Sequence, residues 1–155
     1  MSTPEGGGPR GARTAADLVD TLHLEPHPEG GWFRRTWTAP TRVDTPRGRR
    51  ATASGILFLL EGDQEAAWHV VLSDELWLWH GPGSLEVHLG GTGAAPRDDP
   101  DPVVLDGDAD VPAVQLLVPA GTWQRTFARG GCALATCIVS PEFDYADWEL
   151  ARGSD

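Results

Sequence analysis

Between residues 32 and 139 the apolar residues fall in runs of strand length, each closed by glycine, proline or aspartate, and this spacing constrains the fold most. Gly55-Ile56-Leu57-Phe58-Leu59-Leu60 is continuously apolar, as in a strand covered on both faces. Residues 67–72 and 75–80 form two further runs, the second closed by Gly81-Pro82-Gly83. Leu85, Val87 and Leu89 alternate with Glu86 and His88, the period-2 pattern of a half-exposed strand. Residues 113–118 and 122–127 flank the turn Pro119-Ala120-Gly121, and residues 132–139 make the last long strand. With the aromatic run 32–37, these short strands predict an all-β barrel or sandwich.

Helical signals are confined to the two ends. Thr14 with Asp17 three residues on reads as a helix cap, and Leu18, Val19 and Leu22 supply a stripe, which predicts a helix over 15–22. Residues 141–150 predict a short turn or helix that docks Phe143 and Trp148. Residues 1–13, rich in glycine, proline and arginine, are expected to be a disordered tail ahead of a single domain over 14–151. Residues 90–112 read as a surface loop with one apolar patch at Val103-Val104-Leu105.

Composition removes several classes of function. A net charge of −11 argues against nucleic acid, because counterion release needs a basic face. No apolar run reaches the roughly 20 residues that cross a bilayer. The opening residues lack a basic and then apolar leader, so a cytoplasmic protein is expected. All 12 basic residues are arginine, and without lysine no Schiff base can form. Cys132 and Cys137 read as small hydrophobes on a late strand, and the aspartates of 98–110 as a solvated loop. Gly-x-Ser-x-Gly, phosphate-loop and Cys-x-x-Cys patterns do not occur.

The densest polar group is His69, Ser73-Asp74-Glu75 and His80. Alternation places Glu75, Trp77 and Trp79 on one face and His80 on the other. A carboxylate beside tryptophans costs several kcal/mol to bury (on the order of an unpaired ion) unless something compensates it. A pairing with arginine, or a strand-end position in solvent, stays open. A second cluster, His27-Pro28-Glu29-Gly30-Gly31, suits a tight turn, with Glu29 expected to pair with Arg34 or Arg35.

The ordered motifs resemble the cupin superfamily and, within it, the small DUF985 (cupin_5) proteins. They are His27-Pro28-Glu29-Gly30-Gly31-Trp32-Phe33, Trp68-His69 with Ser73-Asp74-Glu75-Leu76-Trp77, and His80-Gly81. Val118-Pro119-Ala120-Gly121-Thr122-Trp123-Gln124 and Ser140-Pro141-Glu142-Phe143-Asp144-Tyr145-Ala146-Asp147-Trp148 complete the series. The resemblance implies a double-stranded β-helix, the jelly-roll barrel, with one interior pocket and frequent dimerisation; residues 32–37 are the candidate dimer strand. It also implies that His69 and Glu75 match two metal ligands of metal-binding cupins. Val71 stands where a second histidine would be, and Gln124 where the last would be. His69, Glu75 and Gln124 are thus the candidates for a divalent metal, a poor set for zinc or iron, with His80 a further recruit that alternation points away.

Without metal, Glu75 in an apolar pocket should titrate near neutrality and act as acid or base, with His69 as its partner. Trp77, Trp79, Phe58 and Gln124 are the candidate substrate contacts. Some cupins of similar fold are sugar epimerases with a histidine base and a tyrosine acid; Tyr145, the single tyrosine, lies in the C-terminal segment instead. The expectation is an isomerase, epimerase or lyase acting on a small polar metabolite. A non-catalytic binding module, a metal-dependent cupin and a purely structural His69–Glu75 contact remain as alternatives.

Overall fold

A computed structural model describes residues 13–152. Helix α1 (Ala15–Thr21) begins as predicted, with a reciprocal cap between Thr14 and Asp17. Eleven strands follow: β1 (Glu25–Pro26), β2 (Trp32–Thr38), β3 (Arg42–Thr45), β4 (Gly48–Ala51), β5 (Ser54–Leu60), β6 (Glu65–Val71), β7 (Asp74–Leu89), β8 (Val103–Leu105), β9 (Gln115–Val118), β10 (Gln124–Ser140) and β11 (Trp148–Leu150). The expected tail over 1–13 lies almost wholly outside the described residues. No helix among the described residues is long and apolar enough to cross a membrane.

Two long strands organise the curled antiparallel sheet. β7 pairs with β10 along nearly its whole length, from Asp74 opposite Ser140 to Leu89 opposite Gln124. On its other side β10 changes partner: residues 124–127 pair with β6, and residues 133–139 pair with β5. β2 extends the sheet beyond β5, and β11 extends it beyond β6. β8 and β9 flank β7, and β3 with β4 forms a separate hairpin.

Two expectations need correction here. Gly81-Pro82-Gly83 does not end a strand; β7 runs through it, with Pro82 opposite Ala133. Likewise the runs 122–127 and 132–139 are not separate strands but one, β10, with Gly130 and Gly131 at a register shift. Both have positive φ, which lets an extended strand bend without ending, the role of a β-bulge. The C-terminal segment makes the expected short helical turn, 3-10 at Tyr145–Asp147, after which β11 joins the sheet. The β3–β4 hairpin carries no apolar alternation strong enough to read from the sequence.

The core confirms the period-2 reading. Phe58, Leu60, Trp77, Leu85, Val87, Val118, Ala135 and Cys137 are all buried within one cluster. At about 25 cal/mol per Å² of apolar surface, this cluster is the main favourable term for the fold. Cys137 is buried and Cys132 only partly so. Cross-strand rungs then set what faces the open end of the barrel. Ser54, Val139 and Glu75 form one rung; Ile56, Cys137 and Trp77 form the next.

Candidate acid–base site in the barrel

A cavity opens at the Glu75 end of these rungs. Its apolar wall is Phe33, Ile56, Val71, Val139 and Phe143, and its polar groups are His27, Glu29, His69 and Glu75. Ser54 and Cys137 complete the lining. The water-accessible volume is about 30 Å³, room for about two waters. Only a small group can enter without movement of the walls.

Glu29 reaches this cavity because its loop is pressed against β6. The Ala67 N–H donates to the Glu29 carbonyl at 2.8 Å, and a Cβ at Gly30 would stand 2.1 Å from the Glu65 carbonyl oxygen. Gly30 has φ 109°, so glycine is required here for both space and conformation. The expected pairing of Glu29 with Arg34 or Arg35 is therefore wrong. Arg34 donates to the Leu22 carbonyl and Arg35 to Glu142 and the Phe143 carbonyl, and neither arginine lines the cavity.

The partner of His69 is Glu29. Nε2 of His69 lies 3.1 Å from Oε2 of Glu29, whereas no ring nitrogen of His69 comes within 4.0 Å of Glu75. On the other side of the ring, Nδ1 donates to the Ala67 carbonyl at 2.7 Å. A carbonyl can only accept, so Nδ1 carries hydrogen and Nε2 of the neutral ring is bare. Indole Nε1 of Trp148 donates to Glu29 Oε2 at 3.2 Å. Burial raises the Glu29 pKa to about 8, and burial lowers that of His69. At neutral pH these shifts favour a protonated Glu29 beside the bare Nε2 of His69.

Glu75 is held differently. Trp77 Nε1 donates to Gln124 Oε1 at 3.1 Å, and Gln124 Nε2 donates to Glu75 Oε1 at 2.6 Å. Because an indole can only donate, this chain orients the Gln124 amide without ambiguity. Oε2 of Glu75 receives no hydrogen bond from the described residues. Desolvation lifts the Glu75 pKa to about 7, with nearby His69 opposing the shift. His27 accepts the Glu29 N–H at Nδ1, and burial lowers its pKa to about 4, so it is neutral at pH 7. Burial pushes the Cys137 thiol up, which removes it as a thiolate nucleophile.

The candidate substrate contacts divide by position. Gln124 faces inward, yet it supports Glu75 from behind and does not line the cavity. Trp77 and Phe58 pack edge to face at 5.7 Å within the core beneath. Trp79 shares the Glu75 face but lies four residues along the strand, about 13 Å away, where Nε1 donates to the Gly83 carbonyl. His80 points outward to Thr136, as alternation requires. The residues that sequence reasoning missed are Glu29, His27 and Phe143. The signal for Glu29 was the glycine pair that follows it, which permits the loop's close approach to β6.

The donor set does not fit a metal held as in metal-binding cupins. Val71 lines the cavity where the second imidazole would be, and Gln124 Oε1 is spent on Trp77. No group of three His, Cys, Asp or Glu side chains among the described residues is spaced to hold an ion.

Residues 16–151 match the family model described as Cupin superfamily (DUF985). A structure from Shewanella oneidensis is 30% identical with TM-score 0.78, over 90% of this chain and 85% of that one. A hypothetical protein from Leishmania major is 29% identical with TM-score 0.75, over 88% of this chain and 86% of that one. KdgF from Halomonas sp., 15% identical with TM-score 0.54 over 79% of this chain and 89% of that one, shares the fold. No curated protein matches the chain by sequence. The motif order, the barrel and the matched span agree: the chain belongs to the DUF985 family of the cupin superfamily.

Proposed function

We propose that the cavity transfers protons to and from a small polar metabolite, in an isomerisation, epimerisation or elimination. The observation that carries this reading is the 3.1 Å contact between Glu29 Oε2 and His69 Nε2. One proton is shared by a buried carboxyl and an imidazole whose tautomer is set by the Ala67 carbonyl. Such a pair removes a proton from carbon at one position and returns it at another, leaving the protein unchanged after each turnover. Glu75, with a pKa near neutrality, is the second carboxyl in reach of a bound molecule. Gln124 and Trp77 position it without touching the ligand.

The test uses deuterium oxide. Protein is incubated with a pool of cellular metabolites, and mass spectrometry follows which compound gains deuterium or changes mass. Exchange into one compound, lost in Glu29→Gln, supports the reading; exchange that survives in that variant refutes it. The small closed cavity also suits a non-catalytic binding module, and saturable binding without isotope exchange or product would establish that alternative. Self-association through β2 belongs to the same proposal, because β1 covers only Trp32 and Phe33 of that strand and Trp37 is exposed. Light scattering should give a dimer mass, and a monomer would remove that element.

A further inference from the structure

The cavity is acidic without a matching cation of its own. Besides the oxygens already bonded, Glu75 Oε2 and Glu29 Oε1 receive no hydrogen bond from the described residues. Both side chains are more than nine-tenths buried, Glu75 at 7% and Glu29 at 9% exposure. No arginine lines the cavity. Among the described residues the arginines that pair with acids do so elsewhere: Arg35 and Arg42 with Glu142, Arg47 and Arg50 with Asp147, Arg49 with Asp44, Arg125 with Glu65, and Arg129 with Glu86. The titratable groups that face Glu75 across the cavity are His27, Glu29, His69 and Cys137. A buried carboxylate left without a counter-charge is strongly disfavoured, so Glu75, which has no cation beside it, is stabilised as an anion only by a partner that arrives with a ligand.

We propose that the ligand of this cavity carries a protonated primary amine on a short apolar body, and that the ammonium group is received by Glu75 Oε2. The inference rests on the cavity being the functional site, and it adds to the acid–base reading the chemical class of the ligand. An ammonium has three donors and fits the narrow space as it stands, while the alkyl body behind it enters with movement of the apolar walls. The ammonium supplies the charge that an alcohol lacks, while a carboxylate would meet a like charge on Glu75. Phe33 and Phe143, with Ile56, Val71 and Val139, offer an apolar wall to its alkyl chain. With the ammonium on Glu75, the adjoining carbon is left to the Glu29–His69 pair.

The experiment compares three probes of similar size and different charge: n-butylammonium chloride, butan-1-ol and sodium butyrate. Chelator-dialysed full-length protein is titrated with each at equal ionic strength, and amide NMR shifts of Gly30, Gly31 and their neighbours are followed. The expected result is saturable binding of butylammonium near about 1–10 mM, at least about tenfold tighter than either other probe, with that preference lost in Glu75→Gln. Equal or tighter binding of butanol or butyrate overturns the inference, as does absence of saturable butylammonium binding or full affinity in a folded Glu75→Gln protein. Should that variant fail to fold, the ranking of probes on the wild-type chain decides alone. Isotope exchange into metabolites is indifferent to ligand charge. Exchange without amine preference therefore sinks only this inference, and amine preference without exchange sinks only the acid–base reading.

Discussion

Two sets of buried acids in this protein meet opposite fates. In the cavity, Glu29 and Glu75 face imidazoles, an amide and apolar walls, and burial raises both pKa values, to about 8 and about 7. Where the C-terminal segment meets the β3–β4 hairpin, Asp147 is still more deeply buried, but Arg50 lies 3.0 Å away and Arg47 3.1 Å away. Nearby Glu142 accepts the Ala51 N–H and pairs with Arg35 and Arg42, which hold its carboxyl below the usual range. Burial is common to both regions; the presence of arginine separates them. The clamped acids fasten the hairpin and the C-terminal segment to the barrel. The unclamped ones are free to exchange a proton.

The sharpest way to break this contrast is at the proposed chemistry. Glu29→Gln should reduce isotope exchange by about 10²–10⁴-fold, the usual worth of a general acid or base, while circular dichroism stays native. Retained exchange would move the reaction away from the Glu29–His69 pair.

Stability should respond in the opposite sense. Asp147→Asn strands two arginines and should cost about 3 kcal/mol in urea unfolding. Glu75→Gln, which removes an uncompensated buried charge, should stabilise the protein at pH 8 by about 1–3 kcal/mol. If both variants lose stability alike, the distinction between clamped and unclamped acids fails.

A milder test varies pH. Folding raises the pKa of Glu29 and Glu75 above the ordinary 4.5, so the native state holds protons that the unfolded chain has released. Their contribution is complete below pH 4.5 and is lost as pH rises through the folded values near 7 and 8. His27 and His69 have lowered pKa values and act the other way, losing stability as pH falls below 6.5. Between pH 6.5 and 8 the carboxyls therefore dominate, and unfolding free energy should fall by about 2 kcal/mol. Calorimetry checks this, and Glu75→Gln should flatten the slope. The smallest effect belongs to Arg42→Ala, an exposed partner of Glu142, at less than about 1 kcal/mol.

Much of the barrel was legible because strand alternation is a local signal. It placed Glu75 and Trp77 on one inner face and turned His80 outward, while the inward Gln124 came from the family resemblance and its place opposite His69 from the fold. The long strands were less legible. Glycine pairs serve turns and bulges equally well, and only the pairing of β7 with β10 across Gly81 and Gly130-Gly131 distinguishes the two. Trp79 shows a further limit: alternation assigns a face, but distance along the strand removes the residue from the cavity.

What the sequence by itself determined is the all-β class, the inward face of each main strand, the helix cap at Thr14 and the absence of lysine chemistry. Only the tertiary structure decided that His69 meets Glu29 rather than Glu75, and that every arginine pairing with an acid does so outside the cavity. The reason is physical. A strand's own residues dictate which side faces in, whereas the occupants of that side include loops brought from elsewhere. The loop carrying Glu29 docks on β6 because Gly30 lets two backbones approach closely, a contact between segments more than 30 residues apart in the chain.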